Sequence, residues 1–152
     1  MQEGMDERAF PGGVVIVANQ TNVIFQKPYG YFTYRKEQNE VIVSNNTKYE
    51  VASITKIMAT TLAIMNLVSS NSININDPVS KYFQNYDTNK KGNTTIKNLL
   101  LHNAGLPFDY PGPLPSTQAD VLDYIRFIKP VYQVGTQFTY SNLGFLTLGK
   151  IV

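Results

Sequence analysis

Residues 49–68 read YEVASITKIMATTLAIMNLV, and this stretch carries the strongest fold signal in the chain. After Ser53, apolar residues fall on nearly every side of a helix, which is typical of a buried helix rather than an amphipathic surface helix. The run is roughly a dozen residues or more, too long for a strand and too short to cross a bilayer. Ser53 stands where a serine is a favoured N-cap. The stretch therefore predicts a core helix that begins at a serine.

Lys56 follows Ser53 by three residues, a spacing that places both side chains on one face of a helix. A lysine at the start of an apolar helix is costly to bury unless something pairs with it. The pair is therefore a candidate for chemistry. Taken alone it is a weak signal, because serine and lysine are common. The alternative is an N-cap serine beside a surface lysine.

The composition excludes several classes of protein. The 152 residues are 43% hydrophobic, enough for one globular domain with a sizeable core. The net charge is +2 and the basic residues are scattered, so no nucleic-acid-binding footprint is present. The chain has no cysteine, which excludes disulfides and thiolate metal sites. Its one histidine, His102, excludes a multi-histidine metal site and is better explained as a structural residue near a helix end.

The remaining pattern predicts a hairpin followed by helices. Residues 13–18 and 23–25 are rich in β-branched residues and flank a polar turn, which predicts an antiparallel pair of strands. Capping residues and apolar spacing predict the helices. These are the tail of a helix in residues 1–9, a short helix at 78–83, a helix capped by Thr94 or Thr95 that ends near Asn103, a helix at 118–127 capped by Ser116 or Thr117, and a last helix from Ser141 or Asn142. The class is α/β in the α+β sense.

The two ends of the sequence differ in character. The first eight residues are polar and lack the apolar core of a secretory signal. The last residues continue an apolar helical pattern to Val152, whereas natural domains usually end in exposed polar residues. We expect residues 1–152 to be the N-terminal part of a single domain in a longer protein.

Three motifs in order carry a family resemblance: Ser53-x-x-Lys56, His102-Asn103-Ala104-Gly105-Leu106-Pro107 and Tyr140-Ser141-Asn142. Together they resemble the penicillin-recognising serine hydrolases, namely class C β-lactamases, D-alanyl-D-alanine carboxypeptidases and β-lactamase-fold esterases. Ser-x-x-Lys is a catalytic motif of β-lactamases and penicillin-binding proteins, and Tyr140-Ser141-Asn142 looks like the Tyr-x-Asn form of the class C branch. The family's third motif, Lys-Thr-Gly or a His-x-Gly variant, has no counterpart in the 152 residues.

The resemblance implies a β-lactamase/transpeptidase-like fold, with a helical region beside an antiparallel sheet that is incomplete at the C-terminus. It implies a reaction through an acyl-enzyme on Ser53, and this reaction needs no metal or cofactor. A serine hydroxyl needs a base, and Lys56 and Tyr140 are both candidates that the sequence does not separate. Asn142 is a candidate substrate-binding residue that could bridge Lys56 and the amide or ester of a substrate.

The expected partner is a small-molecule or peptidoglycan-like substrate: a β-lactam, a D-alanyl peptide or a small ester. We expect no nucleic acid partner and no transmembrane segment in this chain. Self-association through the incomplete sheet is expected, because unpaired strand edges and exposed apolar surface favour it. The resemblance suggests an extracytoplasmic location, in the periplasm or at the cell surface. The alternative function is a non-catalytic binding or scaffold fragment of the same fold, because the third motif is missing.

Overall fold

A computed structural model describes residues 1–34, 41–113 and 117–152. The chain divides into two compact units, Met1–Glu50 and Val51–Val152. None of the helices in the described ranges is both long and apolar enough to cross a membrane.

The first unit is built on the expected hairpin. A short helix, α1 (Gln2–Asp6), precedes strands β1 (Gly12–Ala18) and β2 (Val23–Gly30). The strands pair antiparallel, with Gly12 opposite Gly30 and a bulge at Val17/Ala18. The hairpin prediction is confirmed, although β2 runs five residues further than the predicted 23–25, because 30 − 25 = 5.

Two local features fix this hairpin. In the turn, Asn19 Oδ1 accepts hydrogen bonds from the amides of Thr21 and Asn22 at 3.0 and 2.7 Å, as expected for an Asx turn. At the other end, Gly30 has φ +67°, and a Cβ there would lie 2.3 Å from the Pro11 carbonyl oxygen. Only glycine tolerates both the left-handed backbone and the close approach.

The second unit contains the helices. A π-helical segment at Lys56–Thr61 leads directly into α2 (Leu62–Ser69), and a single 3₁₀ turn follows at Val79–Lys81. Three further helices complete the unit: α3 (Ile96–Leu100), α4 (Gln118–Phe127) and α5 (Asn142–Ile151). Their positions match the predicted helices, and α4 has the predicted bounds, but α3 ends at Leu100 rather than near Asn103. The short helix predicted over 78–83 forms only the 3₁₀ turn at Val79–Lys81.

Side-chain caps explain where these helices begin. Thr95 Oγ1 accepts from the Asn98 amide at 3.2 Å while Asn98 Oδ1 accepts from the Thr95 amide at 3.0 Å, which is a capping box. Thr117 and Ser141 cap α4 and α5 in the same way, accepting from the amides three residues on. The alternative cap Ser116 lies outside the described residues. At α3, α4 and α5, short polar residues before apolar runs therefore mark the helix starts.

Two predictions for the central helix were wrong. Only Ile64 of α2 is buried, at 1% exposure, whereas Ile57, Met58 and Met65 are 57–64% exposed. Only one side of this helix packs against the core of its unit, so an all-round apolar pattern did not produce all-round burial. Ser53 also gives no side-chain N-cap. Its hydroxyl instead accepts a hydrogen bond from Lys56.

The core of the second unit lies between α2, α3, α4 and α5. Its members are apolar and almost fully enclosed; among them are Ile64, Val79, Phe83, Tyr86, Ile96, Leu99, Leu106, Ile125, Leu143 and Leu148. Burying a side chain of this size is worth about 1.5–3 kcal/mol. This core holds the start of α5 against the end of α3, and these two regions adjoin the His102–Pro107 and Tyr140–Asn142 motifs.

A buried lysine closes the C-terminal end of α4. Lys91 is 0% exposed, and its Nζ donates to the carbonyl oxygens of Ile125 at 2.8 Å, Arg126, and Ile128 at 3.0 Å. These carbonyls have no intrahelical partners, and a cation is favoured at this end of a helix. The sequence analysis did not single out Lys91, because the contacts join residues more than thirty positions apart.

Candidate active site

Ser53 lies in a tight turn at the start of the π-helical segment. Successive hydrogen bonds of the i to i+3 type run from the amides of Ile54, Thr55 and Lys56, at 3.0–3.1 Å. The preceding residue, Ala52, has φ +43°, a left-handed conformation that is unusual for an alanine. Strained backbone of this kind tends to cluster at functional sites. The turn leaves the Ser53 side chain exposed.

Lys56 contacts Ser53 directly. Lys56 Nζ donates to Ser53 Oγ at 3.0 Å, and the lysine is half-buried. The π-helical turn that Lys56 opens is closed by Thr61, whose Oγ1 donates to the Lys56 carbonyl oxygen at 2.8 Å. Short π-helical turns are rare and recur at functional sites. The three-residue spacing therefore produces the contact that the sequence analysis expected.

The Tyr140 side chain lies beside the Ser53–Lys56 pair, although Tyr140 is distant from both residues in the sequence. Lys56 Nζ lies 5.0 Å from the centre of the Tyr140 ring and 5.9 Å from that of Phe145. Side-chain hydrogen bonding with Ser53, then hydrogen bonding with Lys56 and the lysine charge, lower the pKa of Tyr140, against a smaller opposing effect of burial. The structure thus brings Ser53, Lys56 and Tyr140 together, although Ser53 and Tyr140 are 87 residues apart (140 − 53).

Asn142, the fourth predicted residue, is held by a residue that the sequence analysis missed. Asn142 Nδ2 donates to Asp109 Oδ2 at 2.8 Å, and the Asn142 amide donates to the Phe108 carbonyl oxygen at 2.7 Å. A carboxylate only accepts hydrogen bonds, so the side-chain nitrogen of Asn142 faces Asp109 and the side-chain carbonyl oxygen faces away from Asp109. The predicted bridge from Asn142 to Lys56 and substrate stays a prediction.

The segment from Pro107 to Asp109 braces the Tyr-Ser-Asn motif. Ser141 Oγ donates to the Pro107 carbonyl oxygen at 2.7 Å and accepts from the Gly144 amide at 3.1 Å. With the Phe108 and Asp109 contacts, three consecutive residues hold the start of α5. The one signal in the sequence was position: Pro107 ends the His102–Pro107 motif and Phe108 and Asp109 follow it directly, and no local periodicity marks them.

His102 also contacts this motif. Its Nδ1 accepts from the Ser141 amide at 3.0 Å, and its ring stacks on Tyr140 with centroids 4.4 Å apart. Burial and the neighbouring Lys56 charge lower the pKa of His102. These contacts agree with the structural role expected from the sequence and put the imidazole next to the site.

The backbone at Ser53 supplies a hydrogen-bond donor. Within the described part of the chain, the Ser53 amide donates to no acceptor. Free amides at the start of a helix can stabilise negative charge on an oxygen. Together, a paired serine hydroxyl, a tyrosine with a lowered pKa and a free amide form a site suited to acyl transfer.

A family comparison decides the classification. The family model described as Beta-lactamase matches residues 1–152. The chain belongs to the β-lactamase family. The resemblance inferred from the three motifs and the β-lactamase/transpeptidase-like fold class are both confirmed.

Solved structures of the β-lactamase family agree. A class C β-lactamase in complex with cefoxitin superposes with a TM-score of 0.84 at 27% identity, covering 99% of this chain and 41% of that one. The octameric penicillin-binding protein homologue from Pyrococcus abyssi superposes with a TM-score of 0.81 at 30% identity, covering 99% and 36%.

Curated relatives match this β-lactamase-family chain over part of their own length. Protein flp of Staphylococcus aureus (strain NCTC 8325 / PS 47) is 32% identical over 160 residues, covering 100% of this chain and 31% of the relative. An N-acetylmuramyl-L-alanine amidase of Bacillus subtilis (strain 168) is 30% identical, covering 94% and 36%. The chain therefore spans about a third of the length of these relatives.

Proposed function

We propose that this β-lactamase-family chain carries the nucleophile and the base of a serine acyl hydrolase. Residues 1–152 would form the N-terminal part of its single domain. The observation that supports the proposal most is the 3.0 Å hydrogen bond from Lys56 Nζ to Ser53 Oγ, with the Tyr140 ring beside the same ammonium.

Ser53 is the proposed nucleophile. Because Lys56 donates to Ser53 Oγ, the lysine occupies an acceptor position of the hydroxyl and leaves the hydroxyl proton free for another acceptor. Tyr140 is the proposed acceptor, since its lowered pKa increases the share of phenolate near neutral pH. Lys56 then stabilises the phenolate and orients the serine. Of the two candidate bases, Tyr140 is thus the proposed base and Lys56 the residue that supports it.

The proposed reaction has two steps. Ser53 Oγ forms a bond to the substrate carbonyl carbon while its proton passes to the Tyr140 oxygen, and the Ser53 amide donates to the developing oxyanion. The bond from carbon to the leaving nitrogen or oxygen then breaks, and the leaving atom takes the proton from Tyr140. Water repeats the sequence on the acyl-enzyme, giving up a proton to Tyr140 and releasing the acid and Ser53. A single amide donor of this kind is typically worth 10²–10³ in rate.

The proposed substrates are carbonyl compounds of three kinds: β-lactams, D-alanyl peptides and small esters. A β-lactam has support from the relative solved with cefoxitin, and an amide substrate from the relative named N-acetylmuramyl-L-alanine amidase. Asn142 is the proposed substrate-binding residue, because its carbonyl oxygen faces away from Asp109. An extracytoplasmic location belongs to the same proposal, since cell-wall substrates lie outside the cytoplasm.

The test is acyl-enzyme formation with one substrate of each kind: a chromogenic cephalosporin, p-nitrophenyl acetate and a D-alanyl-D-alanine peptide. We expect a burst of product stoichiometric with the protein from at least one, absent in Ser53→Ala and preserved in Ser70→Ala. Ser70 is an exposed serine at the other end of the same helix, so it is a matched control. Binding of a substrate to folded protein with no acyl adduct would instead support the non-catalytic alternative.

A further inference from the structure

His102 is fixed in an unusual backbone conformation directly after α3. Its φ of +55° is left-handed, a conformation that is uncommon outside glycine but more often adopted by asparagine, aspartate and histidine than by other residues. Its amide donates to the Leu99 carbonyl oxygen at 3.2 Å, and its own carbonyl oxygen accepts from the Thr139 amide at 2.8 Å. The residue is therefore tied at one side to the end of α3 and at the other to the chain just before Tyr140.

The His102 side chain continues along the same segment. Its Nδ1 accepts from the Ser141 amide at 3.0 Å, and its ring stacks on Tyr140 with an interplanar angle of 29°. One residue thus contacts three consecutive positions, Thr139, Tyr140 and Ser141. Each contact constrains where the Tyr140 phenol lies.

The contact with Ser141 requires one charge state. An imidazole nitrogen accepts a hydrogen bond only when it carries no proton. In an imidazolium, the Nδ1–H of His102 would face the backbone N–H of Ser141, and neither group could accept. The other rings packed against His102 are Phe138 and Phe145, which supply no charge. The charged or titratable groups that face it are Lys56 and Tyr140, and the Lys56 ammonium opposes a second cation nearby.

We propose that neutral His102 is a positioning residue that holds Tyr140 beside Ser53 and Lys56, and that its protonation releases Tyr140 from this position. The structural part of the proposal stands without the proposed function. Its consequence for rate rests on the proposed function, with Tyr140 as base. Below the pKa of His102 the segment 139–141 loses the Nδ1 acceptor, and the proposed base moves away from the nucleophile.

The first experiment is an NMR titration of the chain, followed at the backbone amides of Tyr140 and Ser141. The chain has a single histidine, so an inflection assigned to the imidazole has one source. We expect both amides to shift with one midpoint, below the usual histidine value near 6.5 and equal to that of the imidazole. Amides that stay constant while the imidazole of folded protein titrates would overturn the proposal.

Two variants separate the acceptor from the ring. His102→Asn keeps a side-chain acceptor and tolerates a positive φ, but it does not titrate; we expect the inflection at Ser141 to disappear. His102→Phe keeps an aromatic ring to stack on Tyr140 but offers no acceptor; we expect the Ser141 amide of wild type at low pH to resemble that of this variant at all pH values. A wild-type inflection that survives in His102→Asn would also overturn the proposal.

A rate measurement then connects the positioning to chemistry. Fluorophosphonate labelling of wild type should fall with a slope of about two in log rate against pH below the His102 pKa, because His102 and Tyr140 must both be deprotonated. His102→Asn should fall with a slope of about one. Equal slopes with a titrating Ser141 amide would remove the catalytic consequence. Absence of labelling at every pH would count against the proposed function alone, since the NMR result is independent of it.

Discussion

Asn142 and Asp109 form a hydrogen bond of 2.8 Å between Nδ2 and Oδ2, and this bond sets which end of the Asn142 amide is available. The carboxylate only accepts, so the side-chain nitrogen of Asn142 is directed to Asp109 and its side-chain oxygen faces away from Asp109. Asp109, which lies outside the three motifs, therefore fixes the orientation of the side-chain amide of Asn142, which lies inside one of them.

Replacing Asp109 with Asn should slow acylation of Ser53. An amide at position 109 can pair with Asn142 in either orientation, so the carbonyl oxygen no longer has a fixed direction. Hydrogen bonds to charged groups contribute about 1.5–3 kcal/mol, so a loss on the order of tenfold in labelling rate is expected. Asp123→Asn, in an exposed ion pair with Arg126, is the matched control and should leave the rate unchanged. Equal rates in all three proteins would show that Asp109 does not orient Asn142.

Replacing Tyr140 with Phe should remove the proposed base while keeping the ring that stacks on His102. General bases typically contribute 10²–10⁴ in rate, and we expect a loss in this range for labelling of Ser53. In wild type the rate should rise with pH through the lowered pKa of Tyr140 and then level off, because the phenolate is the active form. Tyr140→Phe should lose that rise, and Tyr49→Phe, an exposed tyrosine, should keep it. Persistence of the rise in Tyr140→Phe would instead assign the base to Lys56.

Replacing Lys91 with Met should destabilise the fold without touching the site. The change removes the Lys91 donor from the carbonyls of Ile125 and Ile128, whereas the Arg126 carbonyl keeps the Thr88 hydroxyl as a donor. Each buried unsatisfied partner costs about 1–3 kcal/mol. Urea unfolding measures the loss, and Lys90→Met, the exposed neighbour, should change little. A Lys91→Met protein as stable as wild type would show that water or backbone movement satisfies the same carbonyls.

The same lysine should give a signature in the dependence of stability on pH. Burial lowers the pKa of Lys91 to about 8, from 10.5 in the unfolded chain. Between about pH 8 and 10 the unfolded state binds more protons at this residue, so its contribution to the free energy of unfolding rises with pH. The difference in stability between wild type and Lys91→Met should therefore grow across this window. A difference that is constant or shrinks would contradict the buried cation.

Self-association should depend on the hairpin of the first unit. Within the described residues β1 and β2 form a two-stranded sheet, and Ile24 on β2 is 66% exposed. Free strand edges with exposed apolar residues favour pairing between chains, and a lysine there opposes it. Sedimentation velocity over about a hundredfold range of concentration should show association of wild type that is weaker in Ile24→Lys. Val131→Lys, at a residue 62% exposed in the second unit, is the control. A wild-type monomer at every concentration would make this expectation wrong.

The sequence predicted what depends on neighbours along the chain. Short polar residues before apolar spacing narrowed each cap to two neighbouring residues, of which Thr95, Thr117 and Ser141 form the caps, and gave the bounds of α4. The contact between Ser53 and Lys56 follows from the geometry of one helical turn. The family followed from three motifs in order, which no single motif could establish.

The features that the sequence did not predict depend on contacts between residues distant in the chain. Burial of the 57–68 helix was predicted from its apolar content, but burial requires a partner surface, and only the side with Ile64 has one in its unit. Asp109 contacts Asn142, which is 33 positions away in the sequence, and His102 contacts Ser141, which is 39 positions away. Lys91 contacts the end of α4, more than thirty positions away. No local pattern in a single sequence encodes such pairs, so the brace around Asn142 and the cap of α4 became visible only in three dimensions.

The measurement that bears most directly on the central claim is intact-mass spectrometry of the chain after exposure to a fluorophosphonate and, separately, to a penicillin. The account predicts a single covalent adduct of fluorophosphonate on wild type and on Ser70→Ala, and none on Ser53→Ala. A penicillin adduct with the same dependence would narrow the substrate class to β-lactams. An unmodified wild-type chain with a cooperative unfolding transition, or an adduct that persists in Ser53→Ala, would contradict the claim that Lys56 and Tyr140 activate Ser53.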